Sequence, residues 1–67
     1  MEQLYTLLKN SINEEMGWMI DHIYEDYKDT EDILGFALSC EKIYVFIMGQ
    51  TFMNRLEICL FMFSMFT

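Results

Sequence analysis

The sequence predicts an all-α domain of three to four helices. Apolar residues recur at helical spacing through the first half of the chain. The 67 residues contain no proline and three glycines, so few residues in the sequence would interrupt a helix. In the second half Met, Leu and Ala are mixed with the aromatic residues, which favours helix over strand. The repeating apolar positions are Ile12, Met16, Met19, Ile20, Ile23 and Tyr27.

The first two helices are indicated by separate signals. A helix from about Glu2 to Lys9 would carry its leucines on one side. Ser11 precedes Glu14 by three residues, which is the capping-box pattern, so we expect a second helix to begin at Ser11. Gly17 lies within this second helix and costs it roughly 1 kcal/mol relative to alanine.

The second half leaves two architectures open. The segment "DTED" predicts a third helix that Thr30 or Asp29 caps and that runs from about Glu31 to Cys40 or beyond. One helix over 31–48 and another over 52–65, separated at Gly49, would complete an all-α fold. The alternative is an α+β fold with a C-terminal hairpin at 43–63, because "IYVFIM" is β-prone and "GQT" is a candidate turn. We favour the helices.

Charge divides the single domain, residues 1–67, into an acidic helical half (1–32) and an apolar half (33–67). The acidic half holds nine of the eleven acids and two of the four bases, a net charge of −7, whereas the apolar half holds two of each. The charge disfavours direct nucleic-acid binding, because phosphate contacts need Lys and Arg, and we expect none. A concentrated negative field instead favours a basic protein partner.

The apolar half predicts self-association. It has 23 apolar residues among 35, and a helix that is apolar all round must be buried. A chain of this length buries only roughly 60% of its unfolded surface, so we expect a homodimer with a shared core. Membrane insertion fits less well, because Arg55 and Glu57 interrupt the uncharged runs and a span needs roughly 20 apolar residues. The predicted dimer interface consists of Phe52, Leu56, Cys59, Leu60, Phe63 and Phe66.

No residue pattern indicates catalysis, a metal or a cofactor. His22 is the single histidine and has no positioned nucleophile, and the acids around "DYKDTED" lack the glycine and final glutamate of an EF-hand loop. The chain begins Met1-Glu2 without a signal-peptide pattern, so we expect a cytoplasmic protein in which Cys40 and Cys59 are buried thiols. We therefore expect no enzyme activity.

Acidic residues recur along one side of the predicted helices. Glu14, Asp21, Glu25, Asp29 and Asp32 step by 7, 4, 4 and 3, which is the spacing of one helical stripe. This stripe has two interpretations: a solvated face that keeps a dimer soluble, or a mimic of a nucleic-acid backbone. Carboxylates at i and i+4 repeat at about 6 Å, comparable to phosphates along a DNA strand. The full predicted partner-binding surface is Glu14, Glu15, Asp21, Glu25, Asp26, Asp29, Glu31 and Asp32.

The segment "LLKNSINEEMGWMIDHIYEDYKDTEDILGFAL", residues 7–38, resembles small acidic phage proteins. It is similar in style to the Ocr-like antirestriction family of DNA mimics, in which acidic helices flank a "D-T-[DE]-D-[IL]" turn and an apolar helix dimerises. Here that turn is Asp29-Thr30-Glu31-Asp32-Ile33. The resemblance implies that Asp29, Glu31 and Asp32 contact the target. This chain is shorter, less acidic and apolar at its C-terminal end.

These observations predict a phage-type inhibitor that blocks a host DNA-binding protein, an antirestriction or anti-CRISPR-like activity in the host cytoplasm. The target could equally be a restriction enzyme, a CRISPR effector, a nucleoid protein or RNA polymerase. The alternative is a membrane-associated small protein or toxin that acts through residues 43–67. A third interpretation is an adaptor that anchors a partner with Tyr24 and Tyr27.

Overall fold

Four α-helices make up the part of the chain that the structure describes, which is residues 1–65 without the side chain of Glu15. In this computed structural model the helices are α1 (Glu2–Ser11), α2 (Glu14–Tyr27), α3 (Ile33–Met48) and α4 (Met53–Ser64). No strand occurs among residues 1–65. The all-α prediction is confirmed, and the hairpin alternative at 43–63 is wrong. The predicted break at Gly49 is confirmed.

The cap of α2 differs from the prediction. Asn13, not Ser11, has the extended backbone of a capping residue, and its side-chain oxygen accepts a hydrogen bond from the Met16 amide at 3.1 Å. Ser11 instead forms the last residue of α1, where its hydroxyl donates to the Leu7 carbonyl at 2.9 Å. The predicted capping box of Ser11 and Glu14 is therefore wrong, because α1 runs two residues further than expected.

Asp32 caps α3 by accepting a hydrogen bond from the Gly35 amide at 2.9 Å. Thr30, one of the two predicted caps, closes the preceding turn: its hydroxyl donates to the Tyr27 carbonyl at 2.8 Å and accepts from the Asp32 amide at 3.2 Å. The helix consequently starts at Ile33 rather than near Glu31. It ends at Met48, and the C-cap Gly49 has a φ of 71°, the left-handed conformation that glycine adopts without strain.

The core lies where α1 packs against α2 and α4, and where α3 packs against α2. Every helix contributes to it, and the largest fully buried side chain is Phe36 of α3. Tyr24 and Tyr27 of α2 pack on Phe36, each with 6.1 Å between ring centroids. The buried side chains are those of Leu4, Leu8, Met16, Met19, Ile20, Phe36, Ala37, Cys40, Tyr44, Phe52, Leu56 and Cys59. The apolar periodicity predicted for α2 is confirmed by its buried methionines and Ile20.

Candidate functional site

Five exposed acids surround the turn that joins α2 to α3: Glu25, Asp26, Asp29, Glu31 and Asp32. We call this group the acidic end. The one base within residues 25–32 is Lys28, whose Nζ lies 2.9 Å from a carboxylate oxygen of Glu25. The hydrogen bond that Lys28 donates to Glu25 raises the pKa of Lys28, so this ammonium stays charged and offsets one of the five carboxylates.

The acidic end is not the continuous helical stripe that the sequence predicted. Because α2 ends at Tyr27, Asp29 and Asp32 lie in the turn and at the start of α3. Only Glu14, Asp21 and Glu25 keep the spacing of one stripe on α2. The Thr30 hydroxyl donates a hydrogen bond to the Tyr27 carbonyl, and this local bond ends α2 at Tyr27. The predicted stripe therefore does not continue to Asp29 and Asp32.

Asp21, the central member of the predicted stripe, is engaged within the chain. Its carboxylate accepts a hydrogen bond from the Tyr5 hydroxyl and lies 2.9 Å from the Nζ of Lys9. The Tyr5 hydroxyl and then Lys9 hold the pKa of Asp21 below its usual value, while the same contacts raise the pKa of Tyr5 and of Lys9. These contacts join α1 to α2, and they leave Asp21 less available to an external partner than the acidic end.

The other predicted surface acids are differently placed. Glu14 is exposed in the first turn of α2, away from the turn at the other end of that helix. The side chain of Glu15 lies outside the part of the chain that the structure describes. Asp32 is exposed and also caps α3, so its carboxylate has a structural contact as well as solvent access.

The predicted dimer interface faces largely inward. Phe52, Leu56 and Cys59 are buried in the core of their own chain, and the centroid of the Phe52 ring lies 4.5 Å from that of the Tyr44 ring on α3. The Sγ of Cys59 lies 3.2 Å from the Ser11 hydroxyl, and Arg55 donates to the Ser11 carbonyl at 3.0 Å. Leu60 and Phe63 are half-buried against the same core, and Phe66 lies outside the described residues. Phe52, Leu56 and Cys59 are thus already covered within their own chain and are not exposed to a second subunit.

Large apolar side chains are instead exposed elsewhere on α3 and α4. On α4 and its C-cap they step by 3, 1 and 3, which is one helical stripe opposite the core: Ile58, Phe61, Met62 and Met65. On α3 the exposed apolar residues are Leu34, Leu38, Ile43, Val45, Phe46, Ile47 and Met48. These residues lie on several sides of α3, so we give the name outer apolar face to the α4 stripe alone, which is Ile58, Phe61, Met62 and Met65. Sequence analysis missed this face, although the spacing on α4 is legible in the sequence.

Neither of the two tyrosines predicted as partner anchors is fully exposed to solvent. Tyr24 and Tyr27 are half-buried on Phe36, and the Tyr27 hydroxyl shares a hydrogen bond with Ser39 at 3.0 Å. His22 is exposed and its ring meets Trp18 edge-on, with 5.7 Å between centroids. Within residues 1–65, no cluster of three His, Cys, Asp or Glu side chains is placed to hold a metal ion.

The fold and these surfaces define a small four-helix protein with an acidic end and an outer apolar face on different helices. Among the helices of residues 1–65, none is both long enough and apolar enough to span a membrane. Comparison of the chain with protein-family models, with curated proteins and with solved structures gives no match.

Proposed function

We propose that this protein is an inhibitor that binds the nucleic-acid-binding surface of a basic protein and presents carboxylates there in place of DNA phosphates. The observation that carries the proposal is the acidic end, where five exposed carboxylates lie within eight residues and a single lysine accompanies them. A groove built for phosphates is lined by Lys and Arg, and such a groove attracts this surface by charge complementarity.

The local geometry supports a rigid presentation of these charges. Glu25 and Asp26 are carried by the last turn of α2, and Asp32 is held at the start of α3 by its bond to the Gly35 amide. Thr30 fixes the turn between them through two hydrogen bonds. A pre-ordered acidic surface loses less conformational entropy on binding than a mobile acidic tail would lose.

The biological setting in the proposal is that of a phage-type protein acting in the host cytoplasm, with antirestriction or anti-CRISPR-like activity. The resemblance of Asp29-Thr30-Glu31-Asp32-Ile33 to the turn of Ocr-like DNA mimics supports this setting. The target in the proposal is a DNA-binding defence protein or a nucleoid protein.

The test compares two variants of equal net charge. Asp26→Asn/Asp29→Asn removes two charges from the acidic end, and neither residue makes a hydrogen bond to another described side chain. Glu2→Gln/Glu57→Gln removes two exposed charges elsewhere. Each variant protein is used to capture partners from host lysate at low and high salt, and duplex DNA is added to release them.

We expect the wild type and Glu2→Gln/Glu57→Gln to retain a DNA-binding protein that duplex DNA displaces and that high salt releases. Asp26→Asn/Asp29→Asn should retain at least about tenfold less of it, because close charge pairs across an interface each contribute more than about 1 kcal/mol. Equal retention by the two variants, or a complex indifferent to both salt and DNA, contradicts the proposal.

A second candidate function rests on the outer apolar face. An apolar surface on short helices is also typical of proteins that lie in the membrane interface, and a membrane-associated toxin acting through residues 43–67 would use it. Flotation with vesicles of neutral phosphatidylcholine distinguishes the two functions. A membrane protein floats with the vesicles and loses this property in Phe61→Glu, whereas a DNA mimic stays in the aqueous fraction.

A further inference from the structure

The methionines of this chain differ widely in exposure. Met16 and Met19 of α2 lie in the core at 4% and 1% exposure. Met62 of α4 and the C-cap residue Met65 are instead 42% and 72% exposed. A small reagent in the solvent therefore reaches the second pair without any opening of the fold, whereas the first pair is shielded by its own chain.

Met62 and Met65 are half of the outer apolar face. Met62 lies one helical turn after Ile58, and Met65 lies one turn after Phe61, so both thioethers belong to one continuous stripe. A change in polarity at these two positions would alter the character of the whole stripe.

We propose that Met62 and Met65 are sites of reversible oxidation, and that a peroxide changes the outer apolar face from apolar to polar without unfolding the protein. In this reaction the thioether sulfur attacks one oxygen of hydrogen peroxide, so that an S–O bond forms, the O–O bond breaks and water leaves. The sulfur loses two electrons and the peroxide gains them. The product is methionine sulfoxide, which has a polar S=O group in place of an apolar sulfur.

The fold survives this reaction because the oxidised side chains do not hold it together. The buried residues of α4 are Leu56 and Cys59, and neither belongs to the outer apolar face. A sulfoxide at Met16 or Met19 would instead be a polar group in an apolar core, which is costly. These two residues react only through opening of the fold.

The thiols, which are the other oxidisable sulfurs, do not compete for the peroxide. Cys40 and Cys59 are both buried, and buried thiols of this kind are inert because oxidation proceeds through an exposed thiolate. A thioether has no acidic proton, so its reaction depends on access rather than on ionisation. Access alone therefore selects Met62 and Met65 over the cysteines.

The experiment treats the full-length protein with excess hydrogen peroxide at neutral pH and follows each methionine by peptide mass spectrometry. We expect Met62 and Met65 to be oxidised at least about tenfold faster than Met16 and Met19, because the buried pair must wait for the fold to open. The four rates should converge in urea that unfolds the chain. Circular dichroism, recorded in parallel, should show intact helices while the exposed pair is oxidised.

Two variants connect the reaction to the surface. Met62→Leu/Met65→Leu removes the oxidisable sulfurs from the outer apolar face but keeps its volume and apolar character. The matched control is Met48→Leu/Met53→Leu, which removes two exposed methionines that lie outside this face. Peroxide should reduce retention on a phenyl column in the wild type and in the control, and most of this loss should be absent from Met62→Leu/Met65→Leu.

The loss of retention should also be reversible. The two methionine sulfoxide reductases, with a dithiol as the reductant, remove the sulfoxide oxygen as water and should restore the retention of the wild type. Equal oxidation rates for the exposed and buried pairs in a protein that remains helical overturn the proposal. So does an equal loss of retention in the two variants, or a loss of helix before Met62 and Met65 are oxidised.

The outcome is independent of the proposed inhibitory function. The acidic end contains no methionine, so the oxidised protein still carries all five of its carboxylates. Capture of a DNA-binding protein should therefore be unchanged by peroxide, whereas flotation with neutral vesicles, which the second candidate function requires, should be lost. A protein that captures nothing still tests the oxidation, because the rates and the column retention need no partner.

Discussion

The Tyr5 hydroxyl donates a hydrogen bond to the carboxylate of Asp21, so α1 and α2 are joined by a polar contact as well as by apolar packing. The Tyr5 ring also stacks on Tyr24 with 4.0 Å between centroids, which holds the hydroxyl toward Asp21. We predict that Tyr5→Phe and Asp21→Asn each lower the free energy of unfolding. Their coupling in a double-mutant cycle should be about 0.5–1 kcal/mol, because the contact is partly exposed.

Chemical denaturation of the four proteins of this cycle measures the coupling. Phe at position 5 keeps the ring stack on Tyr24. Asn at position 21 keeps the shape of the side chain and an acceptor oxygen but removes the charge, so the cycle measures the part of the hydrogen bond that depends on the carboxylate charge. A coupling of zero would show that the Tyr5 hydroxyl bonds to water as favourably as to Asp21, and would contradict the prediction.

The same contact predicts a loss of stability in acid. The Tyr5 hydroxyl and Lys9 lower the pKa of Asp21 in the folded chain, so the unfolded chain takes up this proton first as the pH falls. The contribution of Asp21 is therefore fully present above its ordinary pKa of 3.8 and declines as the pH falls below that value. Urea unfolding at pH 7, 4 and 3 should show a smaller decline in Tyr5→Phe than in the wild type.

Two glycines should respond to alanine in opposite directions. An added Cβ at Gly17, inside α2, would meet the Cε of Lys9 at 3.6 Å, which is ordinary contact. Gly17→Ala should therefore raise the free energy of unfolding by roughly 0.5–1 kcal/mol, through helix propensity. Gly49 has a φ of 71°, so Gly49→Ala should lower it by about 1 kcal/mol through backbone strain.

The pair is measured by thermal unfolding at one protein concentration, because self-association would otherwise shift the midpoints. For a chain of this size, 1 kcal/mol corresponds to a shift of about 4–8 °C. If Gly49→Ala raised the unfolding midpoint as Gly17→Ala should, the role of Gly49 as a left-handed C-cap of α3 would be contradicted.

Local patterns predicted the helices of the first half and favoured helices over a hairpin in the second half. The apolar spacing along α2 identified the buried Met16, Met19 and Ile20, and Gly49 identified the break between α3 and α4. Capping was harder to predict, because Ser11 and Asn13 are both favoured caps and lie two residues apart. The choice depends on where α1 ends, which side-chain preference alone does not determine.

The surfaces of this protein depend on tertiary contacts that spacing along one helix cannot supply. The helix α4 is apolar on nearly every side, so its sequence does not determine which face packs on α1 and which stays exposed. Asp21 has the spacing of a surface acid, yet its partners Tyr5 and Lys9 come from a different helix. The sequence predicted the acidic end by composition but placed Asp29 and Asp32 on a helix that ends before them.

Glu41 of α3 connects to the start of α4. Its carboxylate accepts hydrogen bonds from the Thr51 hydroxyl and, at 3.2 Å, from the Phe52 amide, while the Thr51 hydroxyl oxygen accepts from the Met53 amide at 3.1 Å. Glu41→Ala should lower the free energy of unfolding by about 1–2 kcal/mol, because it removes two bonds at a helix start. Glu57→Ala, an exposed acid on α4, should change it by less than about 0.5 kcal/mol. Equal effects in urea unfolding would contradict this role for Glu41.

Cys40 should be chemically inert in the folded protein. Burial raises the pKa of its thiol to about 12, so almost no thiolate is present at pH 8 and the side chain is also covered by the core. Cys59→Ser leaves Cys40 as the single thiol, and the new hydroxyl can bond to the Ser11 hydroxyl or the Leu7 carbonyl, the existing neighbours of that position. In this variant, reaction with a coloured disulfide reagent should be slow in buffer and should accelerate with urea in parallel with unfolding. Rapid labelling in buffer, with the circular dichroism spectrum unchanged, would contradict the burial of Cys40.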